Sequence, residues 1–136
     1  RPEIGDEVVV GYLEEDPRQP VVLGALFGKK NLPPPPVEKP TAENHLRVLY
    51  SRAGSRVVFD DDNQTITIAT SSDGTADGQA ATQVFLDQKN KLLEIKDEAG
   101  NSIKLDSKGI TLYSAKDLHM EAQGNVTIKG TKIDLQ

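Results

Sequence analysis

The second half of this chain keeps a beat that few folds can accommodate. Pairs of apolar residues, split by one spacer, return about every eight residues: Leu93 and Ile95, Ile103 and Leu105, Ile110 and Leu112, Leu118 and Met120, Val126 and Ile128, Ile133 and Leu135. Eight residues hold one short strand and one corner, and alternation within the strand puts both members of a pair on one face. Gly109, Gly124 and Gly130 fall at corners, where sharp bends need their backbone freedom. A single-chain solenoid uses about 20 or more residues to stack a strand on its own previous turn, so eight cover only one side of a circuit. A lone chain of this kind leaves every short strand with two bare edges. Its apolar side chains, worth about 1.5–3 kcal/mol each if buried, also have nothing opposite them to offset an ordering cost of about 1–2 kcal/mol per residue.

Partners must therefore supply the missing contacts. Three identical chains wound about one axis would each give one side of a triangular prism per repeat, pair one another's edges and bury the apolar pairs on the axis. The expectation is an intertwined homotrimeric triple-stranded β-helix with all twelve residues named above as its axial core. Lys104, Lys116, Asp117, Glu121, Lys129 and Lys132 would form its solvated exterior. The competing arrangement is an ordinary antiparallel meander. "LEIKDEAGNSIKL" reads as one such hairpin, with Gly100 and Asn101 at its turn, but a full meander would need a second layer that no helix or further sheet in the sequence provides.

Composition agrees with a thin body. Only 4% of residues are aromatic and 36% hydrophobic, too little bulk for a thick core. The absence of Cys excludes disulfides and thiolate metal sites. No run of 18 apolar residues suggests a spanning helix, and no leader pattern precedes the first strand. The chain opens on Arg1 and leads straight into a strand, as a piece of a longer protein would. Net charge is −5 with Lys and Arg scattered, which argues against duplex nucleic acid as a partner.

Upstream of the beat, Val8–Val10 and Val21–Leu23 are β-branched runs joined by the turn-forming "EEDPRQP", so two strands are expected within 1–32, with the rest of their barrel or sheet further upstream. "LPPPPVEKP" reads as an extended polyproline II spacer, assigned to 33–43. From 44 to 92 strands succeed one another as a collar: "HLRVLYS" alternates Leu46, Val48 and Tyr50, "SRVVFDD" puts Val57 and Phe59 on one face, and "TITIAT" puts Ile66 and Ile68 on one face. "DDDNQ" is the hairpin connection between the last two, and residues 71–83 read as an exposed loop. The shaft is assigned to 93–136.

The sequence offers little for catalysis or metal binding. It holds two His and no Cys, and no strained Ser elbow is evident. His119 stands between Leu118 and Met120, so alternation aims it outward, and His45 lies at the start of a strand. The carboxylates of "EED" at Glu14–Asp16 and of "DDDNQ" lack the spacing of a calcium loop and read as solvated turns. No catalytic, cofactor-binding or metal-binding residue is expected.

Gly5-Asp6-Glu7-Val8, Asp16-Pro17 and Pro20-Val21-Val22-Leu23-Gly24 resemble the end of the oligonucleotide-binding-type (OB) barrel in baseplate spike proteins of contractile phage tails, and in the valine-glycine-repeat spike proteins of type VI secretion systems. "SRAGSRVVFDDD" and "KDEAGNSIKLDSKGITL" are similar to the segments that lead into that family's trimeric β-helix. The resemblance implies an all-β chain comprising the C-terminal part of an OB-type barrel followed by a homotrimeric needle. It implies a structural, non-enzymatic spike that pierces a target envelope, with tail tube and baseplate proteins at its N-terminal end. A Pro-Ala-Ala-Arg-repeat tip protein would sit on the apolar plate of Ile133 and Leu135, and effectors would ride on either. Such a spike would be assembled in the cytoplasm as part of a tail-like particle or virion, then ejected to the extracellular space or target cell, touching the target membrane transiently. A tail-fibre or tailspike segment that binds or cleaves surface polysaccharide is the alternative, disfavoured by the scarcity of aromatics and the absence of Trp.

Overall fold

The computed structural model describes residues 2, 4–28, 32–35, 37, 41–75 and 78–134. The described residues are all-β apart from one turn of 3-10 helix, and they form two separate sheets.

The first sheet is the expected hairpin. Strands β1 (Glu7–Tyr12) and β2 (Pro20–Leu26) pair antiparallel, with an irregularity between Val9 and Val10 that passes over Leu23. The connection is a 3-10 turn at Leu13–Glu15, then a tight loop in which Arg18 grips the Asp16 carboxylate through Nε at 3.0 Å and Nη2 at 2.8 Å. Two strands cannot bury their own faces. Val9, Val22, Leu23 and Phe27 are all exposed.

In the linker, Val37 N–H donates to Pro34 O at 3.0 Å. The remainder of the expected spacer at 36 and 38–40 lies outside the described residues.

The second sheet is a seven-stranded antiparallel meander in strict sequence order: β3 (Leu46–Tyr50), β4 (Arg56–Asp60), β5 (Thr65–Ser71), β6 (Ala80–Asp87), β7 (Leu92–Lys96), β8 (Ser102–Asp106) and β9 (Gly109–Tyr113). The hairpins at "DDDNQ" and at "DEAGN" lie where the sequence places them. Three readings need correction. First, residues 71–83 are not all loop: β5 runs to Ser71 and β6 begins at Ala80, because Ala81, Gln83 and Phe85 alternate with Thr82, Val84 and Leu86 to continue the ladder. Second, the apolar series Leu46, Val48 and Tyr50 faces away from Val57 and Phe59. The register Leu49↔Val57 and Val48↔Val58 puts Leu49 on their face instead. Third, the segments of 93–112 do not leave their edges bare within a single chain. Strands β7, β8 and β9 pair with one another, so Leu93, Ile95, Ile103, Leu105, Ile110 and Leu112 belong to the meander, and the competing hairpin arrangement describes the chain up to Tyr113. Short Asp-led turns, which return the chain on itself, decide that outcome.

The turns share one device. At the end of β4, Asp60 accepts Asn63 N–H at 2.9 Å and Asn63 Nδ2 at 2.8 Å, and at the end of β6 Asp87 accepts Asn90 N–H at 2.9 Å and Nδ2 at 2.7 Å. Beyond β7, Asp97 holds Asn101 the same way, at 2.8 and 2.7 Å. Each turn then passes through a left-handed residue: Gln64 (φ 55°), Lys91 (φ 51°) and Gly100 (φ 92°). A side-chain cap combined with a left-handed residue reverses the chain within a few residues. At the opposite end of β4, Gly54 (φ 75°) lies so close to the β5–β6 loop that a Cβ would stand 1.9 Å from Thr75 O.

Residues 114–134 form no strand, and among the described residues no backbone-to-backbone hydrogen bond ties them to the sheet. Side-chain contacts in this segment are local: His119 Nε2 lies 3.2 Å from Glu121 Oε2, and Lys132 Nζ lies 2.9 Å from Asp134 Oδ2.

Candidate functional site

The register of the meander assembles one surface from residues scattered through the sequence. Cα partners share a face, so following the pairings across the sheet gives two ribs. The first is Leu49–Val57–Ile68–Val84–Ile95–Ile103–Leu112, and the second is Phe59–Ile66–Leu86–Leu93–Leu105–Ile110. Every member is apolar. Arg47, opposite Phe59 on β3, stands where the second rib would continue; its guanidinium turns back to the Asn44 and Leu46 carbonyls.

The opposite face is different in kind. Its middle row runs Val48, Val58, Thr67, Phe85, Glu94, Lys104 and Thr111. Beyond β6 it carries ion pairs between residues two apart, Glu94 with Lys96 at 3.8 Å and Lys104 with Asp106 at 3.1 Å. Such a face tolerates water, whereas the ribbed face does not.

Nothing covers the ribs. Among the described residues Ala69, at 5% exposure, is the one buried apolar residue, while Leu49 is 66% and Ile110 72% exposed. The whole chain exposes 11511 Å², against about 7,000 Å² for a compact monomer of its mass. That excess belongs to the whole chain, tail and hairpin included; the continuous apolar surface of the ribs is the part of it that marks a candidate association site.

The sequence places the six pair residues of 93–112 on one face, and the structure brings them together there, joined by Leu49, Val57, Phe59, Ile66, Ile68, Val84 and Leu86. Of those seven, Leu49, Val84 and Leu86 carried no such expectation, although the Val84–Leu86 alternation was the available signal. Leu118 reaches the end of the first rib and shares with Ile95, Ile103 and Leu112 a hollow of about 380 Å³. Met120, Val126, Ile128 and Ile133 lie exposed along the unpaired tail and are not gathered into one surface by a single chain. Leu135, expected both on the axis and at the tip, lies outside the described residues.

Carboxylates are held by turns, not gathered into a centre. The Asn90 side chain and backbone hold Asp87 below the ordinary carboxylate range, the Asn101 side chain and backbone do so for Asp97, and the Asn63 backbone and side chain for Asp60. Among the described residues no group of three His, Asp or Glu is placed to hold a metal ion.

Comparison with known families bears on the first hairpin. Residues 1–27 match the Type VI secretion system/phage-baseplate injector OB domain. No curated protein matches the chain. The match covers β1, the 3-10 turn and β2. It relates the chain, in a coarse sense, to baseplate spike proteins and supports a general role in a phage or type VI secretion baseplate structure.

Proposed function

We propose that this chain is a structural, non-enzymatic spike segment of a contractile injection apparatus, and that it works as a homotrimer. The observation that carries the reading is the pair of uninterrupted apolar ribs on a sheet with no second layer. Three copies related by a three-fold axis provide that layer for one another. Strands of five residues are about 17 Å long. Closed as a triangle, three such strands stand about 5 Å from their common centre, half the roughly 10 Å separation of packed sheets. The ribs then run along the axis, over about 30 Å for seven strands spaced about 4.8 Å apart. The charged rows of β7–β9 face water, and the barrel hairpin lies toward the baseplate.

In this reading the unpaired tail continues the shaft as an intertwined β-helix. Leu118, Met120, Val126, Ile128 and Ile133 turn to the axis, with Ile133 and Leu135 as the plate that receives a Pro-Ala-Ala-Arg-repeat tip protein. Tail tube and baseplate proteins hold the N-terminal end, effectors ride on the assembly, and the stiff shaft transmits axial force into a target membrane after ejection. The decisive experiment is solution mass by light scattering. Three chains per particle are expected, and a monomer at all accessible concentrations would overturn the proposal.

A further inference from the structure

We infer that the two lateral borders of the meander are complementary charged surfaces, and that Lys89 on one border of a copy is received by Glu98 on the opposite border of a second copy. The inference rests on the trimeric reading above and adds to it what holds each copy level with the next, which the apolar ribs do not supply.

The need follows from the ribs themselves. All their members are apolar and they run along the proposed axis, so a copy that slid by one hairpin, about 9.6 Å, would still lay apolar residue on apolar residue. A uniform stripe gives affinity without position. Position has to come from residues that differ from one level to the next.

The turns differ in that way. They alternate between the borders, with 61–64, 88–91 and 107–108 on one and 51–55, 72–79 and 97–101 on the other. Among the described residues, the exposed charged side chains down the first border are Asp61 and Asp62, then Lys89 and Lys91, then Lys108. Down the second they are Arg52, then Asp73, then Glu98. Lys89 Nζ donates to Asp62 O in the preceding turn of its own border, which leaves two of its three donors. Glu98 takes part in no ion pair among the described residues.

Each turn sits midway between the two strands it joins, so the borders are offset by one strand spacing, about 4.8 Å. When a three-fold rotation brings one border against the other at equal height, the turns interleave. The 88–91 turn then enters between 72–79 and 97–101 of the next copy, which places Lys89 between Asp73 and Glu98. Lys108 falls on the other side of Glu98, and Asp61 and Asp62 lie between Arg52 and Asp73. A slide by one hairpin in one direction would instead put Asp61 and Asp62 between Asp73 and Glu98. The opposite slide would take Lys89 from Glu98 and set it beside Arg52. At equal height alone does Lys89 meet acid on both sides.

Within one chain Lys89 and Glu98 lie beyond opposite ends of β7, a strand about 17 Å long, so an ion pair between them forms only between copies. The experiment is a charge-swap cycle on the full chain: Lys89→Glu, Glu98→Lys and both together, each diluted in moderate urea with mass read by light scattering. Each single reversal should raise the concentration of half-dissociation about tenfold, because three exposed attractions per trimer become repulsions. The double variant should return to within about threefold of the parent. Single reversals without effect, or effects that simply add in the double variant, overturn the inference while leaving the trimeric spike intact. A monomeric parent overturns both.

Discussion

Asn101 Oδ1 accepts the backbone N–H of Ala115 at 3.0 Å, from a side chain whose other end is held by Asp97. One turn of the meander thereby sets the direction in which the tail leaves the sheet.

Removing that acceptor tests its weight. Asn101→Ala deletes the contacts to Ala115 and Asp97, each worth about 0.5–1.5 kcal/mol. Hydrogen exchange should then show faster exchange at Ala115 and through 116–121, with β3–β6 unchanged. Equal acceleration along the whole chain would mean that the bracket is only a general stabiliser.

The same turns predict a pH dependence. Asp60, Asp87 and Asp97 are each held below the ordinary carboxylate value of 3.8 by their Asn partners. A depressed carboxylate contributes stability that is present above its unfolded value and is lost as pH falls through the folded one. Urea midpoints should therefore be flat from neutrality to about pH 5, then drop below about pH 4. Asp87→Asn should flatten part of that drop.

Substitutions on the two faces should separate cleanly. Leu86→Asp puts a carboxylate in the middle of the second rib, where three copies would bury it unpaired at a cost of several kcal/mol per charge. Thr111→Asp puts one on the outer face of β9. Light scattering should show the first variant dissociated and the second still assembled.

Gly54→Ala is expected to be costly beyond its size. The new Cβ would meet Thr75 O at 1.9 Å, at a left-handed backbone position. A loss of about 2 kcal/mol in urea unfolding is expected. Lys91→Gly, at φ 51° in an exposed turn, should instead gain about 0.5–1 kcal/mol, because relief of left-handed strain exceeds the added chain entropy.

Much of the sheet was legible because the relevant signals are local. Val57 with Phe59, and Ile66 with Ile68, reveal one apolar face by alternation alone, and "DDDNQ" announces its hairpin. Strand β3 does not reveal by alternation which side joins the ribs: Leu46, Val48 and Tyr50 alternate on one side, and Arg47 stands on the other, where the second rib would continue. Only the register with β4 selects Leu49. The start of β6 was hidden by Ala80 and Ala81, whose small side chains carry almost no periodic signal. The eight-residue beat was equally ambiguous. A hairpin strand plus its turn occupies the same length as a prism side plus its corner, and the difference lies in whether an Asp-led turn follows the strand, as it does after β8 and does not after β9.

The odd number of strands in the meander has a consequence of its own. With seven antiparallel strands, the polypeptide arrives at one lateral border and departs from the other, which in the proposed trimer faces the neighbouring side of a three-sided column. Six or eight strands would return it to the border where it arrived and send it the wrong way round. Growth or shortening of this region is thus expected in whole hairpins, each changing the column by about 9.6 Å without altering its sense of winding. A single strand gained or lost would reverse it.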